Sequence, residues 1–246
     1  MGFFEASTRT QLSFESAGLE LGIQWMKLES ENSSLKKGES FKDTFSNINL
    51  YDPDFYVIRH SMAGLPHLVQ KWTRKPVINA GDGMNEHPTQ ALGDALTLHK
   101  AFKSKRLKIC FFGDVYRSRV FRSNLKILKV LGHSVSICDD GSVESALTAK
   151  AFKISLVPRK SLNRFDVIYC LRIQKERGSE WRQSPLAPED FSDKTFLMHA
   201  GPVMINSDLR FDLLNERADR NLILAQARNC FEVRRSLLLE LGGKFK

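Results

Sequence analysis

The chain has 246 residues, 42% of them hydrophobic, enough for a sizeable core in one large domain or two small ones and too apolar for disorder. Thirty-seven Lys and Arg against 28 Asp and Glu leave a formal charge of +9, which suits anionic ligands and equally a modest nucleic-acid binder. No apolar run approaches the roughly eighteen residues that span a bilayer, and no basic-then-apolar leader is present, so we expect a soluble, cytoplasmic protein without a membrane partner.

The first ten residues carry the most chemistry. Phe3-Phe4-Glu5 runs into Ser7-Thr8-Arg9-Thr10, a hydroxyl-rich turn at the start of a helix predicted from about Thr8 to Gly22. The first N–H groups of a helix lack intrahelical partners and form its positive end, so such a turn can hold a phosphate. A plain Ser/Thr cap is the competing reading of the same residues. Ile23–Leu28 reads as a strand, Glu29–Glu39 as a polar, mobile loop, and Phe41, Phe45 and Ile48 as one helical face. Phe55–Arg59 is a strand, Ala63–Trp72 a helix, and Pro76–Ala80 a strand leading into the loop Gly81–Glu86.

Pro88 suits the first turn of a helix that runs to about Phe102. The basic stretch Lys103-Ser104-Lys105-Arg106 has no interleaved aromatics and reads as a solvated connector. Leu107–Phe112 is a buried strand ending in Gly113-Asp114, and Ser118–Leu131 is a helix closed by Gly132. Val135–Cys138, Val167–Leu171 and Phe196–His199 are further strands, and the last helix covers Phe231–Leu241, with Val233, Leu237, Leu238 and Leu241 on one face. This alternation predicts an α/β fold of two doubly wound parallel sheets, residues 1–104 and 105–228, with a C-terminal helix, 229–246, returning to the first.

Ligands of doubly wound sheets bind beyond the carboxyl ends of the strands. The unusual polar residues lie there: Arg59-His60, then His87 and Gln90, then Asp114 to Arg119, then Arg172 and Gln174. Singly, each arginine is equally well a surface charge; their repetition at strand ends argues for an anion site. The same placement, away from any single helix or aromatic sheet face, speaks against a nucleic-acid partner. Cys110, Cys138, Cys170 and Cys230 have no CxxC spacing and read as buried free thiols, and the six scattered histidines form no metal-binding pair. A P-loop, GxGxxG and GxSxG are absent.

Taken in order, Phe4-Glu5-Ala6-Ser7-Thr8-Arg9-Thr10, Ser34 with Lys37-Gly38-Glu39, Arg59-His60, Asn79-Ala80-Gly81-Asp82-Gly83 with His87-Pro88-Thr89-Gln90, Gly113-Asp114 with Ser118-Arg119-Val120, and Arg172-Ile173-Gln174-Lys175-Glu176-Arg177 resemble the aspartate carbamoyltransferase family over essentially the whole chain. The resemblance implies transfer of a carbamoyl group from carbamoyl phosphate to L-aspartate, an early step of pyrimidine synthesis, without cofactor or metal. It assigns the phosphate to Ser7, Thr8, Arg9 and Thr10, and the carbamoyl carbonyl to Thr10, Arg59 and His87. Gln90 and the backbone at Ala200 and Gly201 would meet the carbamoyl nitrogen. Arg119, Arg172 and Gln174 would receive the aspartate carboxylates. Ser34 and Lys37 would reach the site of a neighbouring subunit, Lys37 serving both substrates, which implies a homotrimer with shared active sites, open to regulatory or paralogous subunits.

The chain departs from the family pattern in three ways. Its phosphate turn follows the start so closely that Met1 and Gly2 are not expected to supply the strand that precedes it, leaving the first domain incomplete. His199-Ala200-Gly201-Pro202-Val203-Met204-Ile205 departs from the family's His-Pro-Gly-Pro followed shortly by Asn-Arg: one proline and that arginine are gone, which predicts a looser loop, with Pro202 a candidate for a cis bond. Arg117 replaces a histidine, Ala6 a proline and Cys230 a glycine. These departures keep an alternative open: a non-catalytic or repurposed paralogue that binds an anion or assembles with an active subunit.

Overall fold

The computed structural model describes residues 1–5, 7–29, 38–103, 105–179, 181, 183–216 and 218–243. It divides into two units, Met1–Thr89 with Cys230–Lys246, and Gln90–Asn229. Each is built on a parallel sheet.

The first unit holds β1 (Gly2–Phe3), β2 (Leu28–Glu29), β3 (Tyr56–His60) and β4 (Val77–Asp82) in the order β2-β1-β3-β4. Here the expectation of a missing strand is corrected. Gly2–Phe3 pairs with Leu28–Glu29 on one side and Ile58–Arg59 on the other, and the ladder continues through Leu28 N to Met1 O (2.8 Å) and Phe4 N to Arg59 O (2.9 Å). Two residues thus bridge the sheet because their neighbours' backbone groups extend the pairing.

The strand expected at Ile23–Leu28 is also corrected to Leu28–Glu29. Helix α1 (Thr8–Glu20) closes by Ile23 N donating to Gly18 O, and Trp25 stacks edge-on against Phe55. Ile23 and Trp25 join the cluster of Phe14, Ala17, Val57, Ile78 and Leu238, so these apolar side chains bury by packing rather than by laddering. A second cluster lies between α2 (Phe41–Asn49), α3 (Leu65–Trp72) and the sheet, from Phe45, Tyr56, Ile58, Leu65 and Val69. Much of the loop predicted at Glu29–Glu39, including Ser34 and Lys37, lies outside the described residues, as does Ala6.

The second unit has the order β7-β6-β5-β8-β9, with β5 (Lys108–Phe112), β6 (Ser134–Cys138), β7 (Ser155–Val157), β8 (Val167–Cys170) and β9 (Phe196–His199). Its helices are α5 (Arg119–Val130), α6 (Val143–Phe152) and α7 (Phe211–Glu216), together with most of α4 (Pro88–Phe102). Phe111 stacks on Tyr169 at 4.9 Å and meets Phe121 edge-on at 5.1 Å, which joins β5, β8 and α5 on one face. All four cysteines are free and buried, and burial pushes the Cys138 thiol up to about 12. The last helix, α8, covers Ile223–Gly243 and begins eight residues earlier than expected, because Asn221 Oδ1 accepts the Ile223 N–H and starts the first turn. Among the described residues no helix is long and apolar enough to cross a membrane.

Gly113 ends β5 at φ +111, where a Cβ would sit 2.5 Å from the Leu171 carbonyl oxygen. Gly113→Ala is therefore expected to destabilise the chain by about 2–3 kcal/mol, seen as a fall in the denaturation midpoint. An unchanged midpoint would contradict the close approach.

Candidate active site

In each sheet the strand order reverses once: between β1 and β3 in the first unit, and between β5 and β8 in the second. A crevice opens outside the carboxyl ends at such a reversal, and the predicted residues gather at both.

In the first unit, Ser7–Thr10 follow β1 while Arg59 lies on β3, directly paired with Phe3. Ser7 is the N-cap of α1, yet its hydroxyl makes no capping bond, and the first turn contains no acidic residue. Ordinary capping therefore does not account for this hydroxyl cluster. Arg9 is exposed with its pKa lowered by partial burial, and a guanidinium so shifted remains a cation. Thr10 is buried. Arg59 is also buried, its Nη1 donating to Ala80 O at 3.3 Å and its Nε lying 3.7 Å from Glu5 Oε2. His60 accepts the Met62 N–H on Nδ1 at 2.7 Å and packs between Phe4 and Phe41; burial lowers its pKa.

The next strand over, β4, supplies His87 through a loop that Asp82 organises. This buried carboxylate accepts from Gly64 N (2.7 Å), Asn79 Nδ2 (2.8 Å), Asn85 Nδ2 (2.9 Å) and Glu86 N (3.0 Å). Gly83 has positive φ, and a Cβ there would lie 2.5 Å from Ser61 O, so the Asn-Ala-Gly-Asp-Gly run is a turn that few other residues can make. His87 is buried directly before Pro88, the first residue of α4. Neighbouring strand ends thus carry Ser7–Thr10, Arg59 and His87.

In the second unit, Arg119 is buried at the start of α5, whose first turn again lacks an acidic residue. Ser118 caps this helix by accepting the Phe121 N–H at 3.1 Å. Beyond β8, Arg172 pairs with Glu176, and buried Gln174 precedes the 3-10 turn Lys175–Arg177, its carbonyl accepting from Arg177 N (2.9 Å) and Ser179 N (3.2 Å).

Beyond β9 the loop of Ala200 and Gly201 contains the cis bond Gly201–Pro202. His199 Nδ1 accepts the Gly201 N–H at 2.8 Å, which leaves Nε2 to donate to Asp208 Oδ2 at 3.3 Å. Asp208 also accepts from Met204 N and Ile173 N, each at 3.0 Å, so one buried carboxylate fastens this loop to the Arg172–Gln174 segment. The loop expected to be looser is therefore held at both ends.

Gln90 donates from Nε2 to Asp94 Oδ1 at 2.9 Å, which makes its Oε1 the accepting end. Asp94 also receives Gln226 Nε2 (2.8 Å), Asn124 Nδ2 (2.7 Å) and the Tyr169 hydroxyl (2.7 Å). Burial raises its pKa, opposed by these four hydrogen bonds. The sequence reading missed Asp94, although its spacing of four from Gln90 on a helix was a usable signal.

Residues 1–100 match the family model of the aspartate/ornithine carbamoyltransferase carbamoyl-P binding domain. The chain is 37% identical over 256 residues to the aspartate carbamoyltransferase catalytic subunit of Solibacter usitatus, covering 98% of this chain and 84% of the relative. It is 38% identical to that of Acetivibrio thermocellus, over 96% and 80% of the two chains. An aspartate transcarbamoylase structure from Trypanosoma cruzi, in complex with carbamoyl phosphate and aspartate, superposes with a TM-score of 0.80 at 25% identity, over 96% of this chain and 82% of that one. Two parallel sheets, polar residues gathered at both reversals and this level of identity along nearly the full length lead to one conclusion: the chain belongs to the aspartate carbamoyltransferase family.

Proposed function

We propose that the chain transfers the carbamoyl group of carbamoyl phosphate to L-aspartate. The aspartate nitrogen attacks the carbamoyl carbon, the carbon–oxygen bond to phosphorus breaks, phosphate departs with the electron pair, and the nitrogen loses a proton. The observation that carries this reading is the meeting of the uncapped Ser7–Thr10 turn with buried Arg59 and His87 at adjacent strand ends of one sheet.

In this reading the first unit binds carbamoyl phosphate. Ser7, Thr8, Arg9 and Thr10 hold the phosphate, while Thr10, Arg59 and His87 draw electron density onto the carbonyl oxygen. Gln90 accepts from the carbamoyl nitrogen, and the backbone of Ala200 and Gly201 faces the same group. The second unit binds aspartate through Arg119, Arg172 and Gln174, where planar guanidinium forks match two carboxylates. No residue is asked to form a covalent intermediate; the rate comes from positioning two anions and stabilising charge as it develops. We further propose a cytoplasmic homotrimer in which Ser34 and Lys37 complete a neighbour's site.

The test is carbamoyl transfer to aspartate, with ornithine as the control acceptor, by purified chain whose circular dichroism is that of a folded protein. Product with aspartate and none with ornithine is expected. A folded but inactive chain that co-purifies with an active subunit would instead favour the non-catalytic paralogue, the reading that the altered His199–Ile205 segment keeps in view.

A further inference from the structure

Arg117, at a position where this chain departs from the family pattern, joins three segments of the second unit. Its guanidinium grips Glu144 at the start of α6 with two prongs, Nη1 to Oε2 at 2.6 Å and Nη2 to Oε1 at 2.7 Å. Its Nε donates to the Arg177 carbonyl at 2.8 Å, and Arg177 Nη1 returns a bond to the Arg117 carbonyl at 3.4 Å. Its own N–H donates to Asp114 Oδ1 at 3.1 Å, and Nη1 lies 3.7 Å from that oxygen. The Arg117 side chain is 12% exposed and that of Glu144 40%, so the pair is half-buried, and it is the two-pronged geometry together with the bond to the Arg177 carbonyl that distinguishes it from a lone surface ion pair.

The bonds fall beside the proposed aspartate ligands. Arg119 lies two residues beyond Arg117. The Arg177 carbonyl ends the turn that Gln174 begins, and Arg172 pairs with Glu176 within the same segment. Gly178 and Ser179 line a cavity of about 460 Å³ together with Arg117, Asp140, Ser142 and Glu144, so the turn is open on that side. Within the turn the Gln174 carbonyl holds Arg177 N and Ser179 N, and the Arg117 guanidinium ties the turn to the loop after β5 and to the start of α6.

We infer that Arg117 is a positioning residue: it fixes the Arg172–Gln174 segment relative to Arg119 so that both reach the carboxylates of one amino-acid substrate, which it does not itself touch. Lysine can replace it only in part, because a single ammonium cannot supply a planar fork and a third donor at once. The inference rests on the proposed function for its substrate and on geometry alone for its clamp.

The test uses the full chain as Arg117→Ala, Arg117→Lys and Glu144→Gln, with steady-state kinetics in both substrates and hydrogen exchange of the 174–179 amides. Arg117→Ala is expected to raise KM for aspartate about tenfold, leave KM for carbamoyl phosphate and kcat within about twofold, and speed exchange at Arg177 and Ser179. Arg117→Lys should recover part of the loss, and Glu144→Gln should show a smaller shift in the same direction. Equal changes in both KM values, or unaltered exchange, would overturn the inference. An inactive wild-type chain would count against the proposed function and leave exchange alone to judge the clamp.

Discussion

Replacing Arg9 by alanine is expected to lower kcat/KM for carbamoyl phosphate by about a thousandfold while leaving the thermal midpoint unchanged. The two halves of the expectation have separate physical origins. Arg9 is exposed on the first turn of α1, so its removal opens no cavity. In the proposed site its charge-assisted bonds to the phosphate would strengthen as the leaving group gains charge, and the loss of one such donor typically costs about 10²–10³ in rate. The first turn has no acidic side chain, so no neighbouring carboxylate competes for this cation there. A loss smaller than about tenfold, with the midpoint intact, would remove Arg9 from the phosphate site.

The second large effect is on stability. Asp94→Ala is expected to destabilise the chain by about 3–5 kcal/mol, measured by urea unfolding followed through far-UV circular dichroism. The Asp94 oxygens gather donors from α4, α5, β8 and α8: Gln90, Asn124, Tyr169 and Gln226. Alanine would remove four bonds in a dry interior, where each exposes a desolvation cost, although Asn124 Nδ2 keeps Val120 O and Gln226 Nε2 keeps the Tyr169 hydroxyl. Asp94→Asn keeps the volume but turns an NH₂ group toward two donors, so it should recover only part of the loss. Gln226 Oε1 also accepts the His199 N–H at 2.7 Å, which carries the disturbance to the Ala200–Gly201 loop. A change below about 1 kcal/mol in Asp94→Ala would show that the network is replaceable by water.

What the sequence disclosed was local. The helix start at Ser7–Thr10 is legible because its cap position, hydroxyls and arginine fit within four residues. Strand β5 is legible because Ile109–Phe112 are all buried, giving an uninterrupted apolar run. Helix α6 escaped notice for a physical reason: Val143 and Leu147 face outward, at 74% and 56% exposed, Ser145, Thr148 and Ala149 are buried, and the large apolar side chain that packs on the core, Phe152, stands at the very end of the helix. Periodicity read from hydrophobicity therefore carries no signal there. Asp94 is a different case, since Tyr169 and Gln226 lie 75 and 132 residues from it and only the fold brings them within bonding distance. The same holds for Arg117, whose partners Glu144 and Arg177 lie 27 and 60 residues away. The two-residue β1 was unreadable because its length falls below any repeat, and its stability comes from neighbours on both sides.

The first unit is discontinuous, and this orders its assembly on the ribosome. Its core sets Leu238 with Phe14, Ala17 and Val57, so contacts between the beginning and the end of the chain complete it. Residues Gln90–Asn229 are contiguous and have every partner of the Asp94 network once Gln226 has emerged, whereas the Phe14 cluster of the first unit waits for Leu238 even though all four strands of its sheet lie within the first 82 residues. Closing so long a loop is entropically slow, and until it closes the apolar face around Phe14 lacks the cover that Leu238 provides.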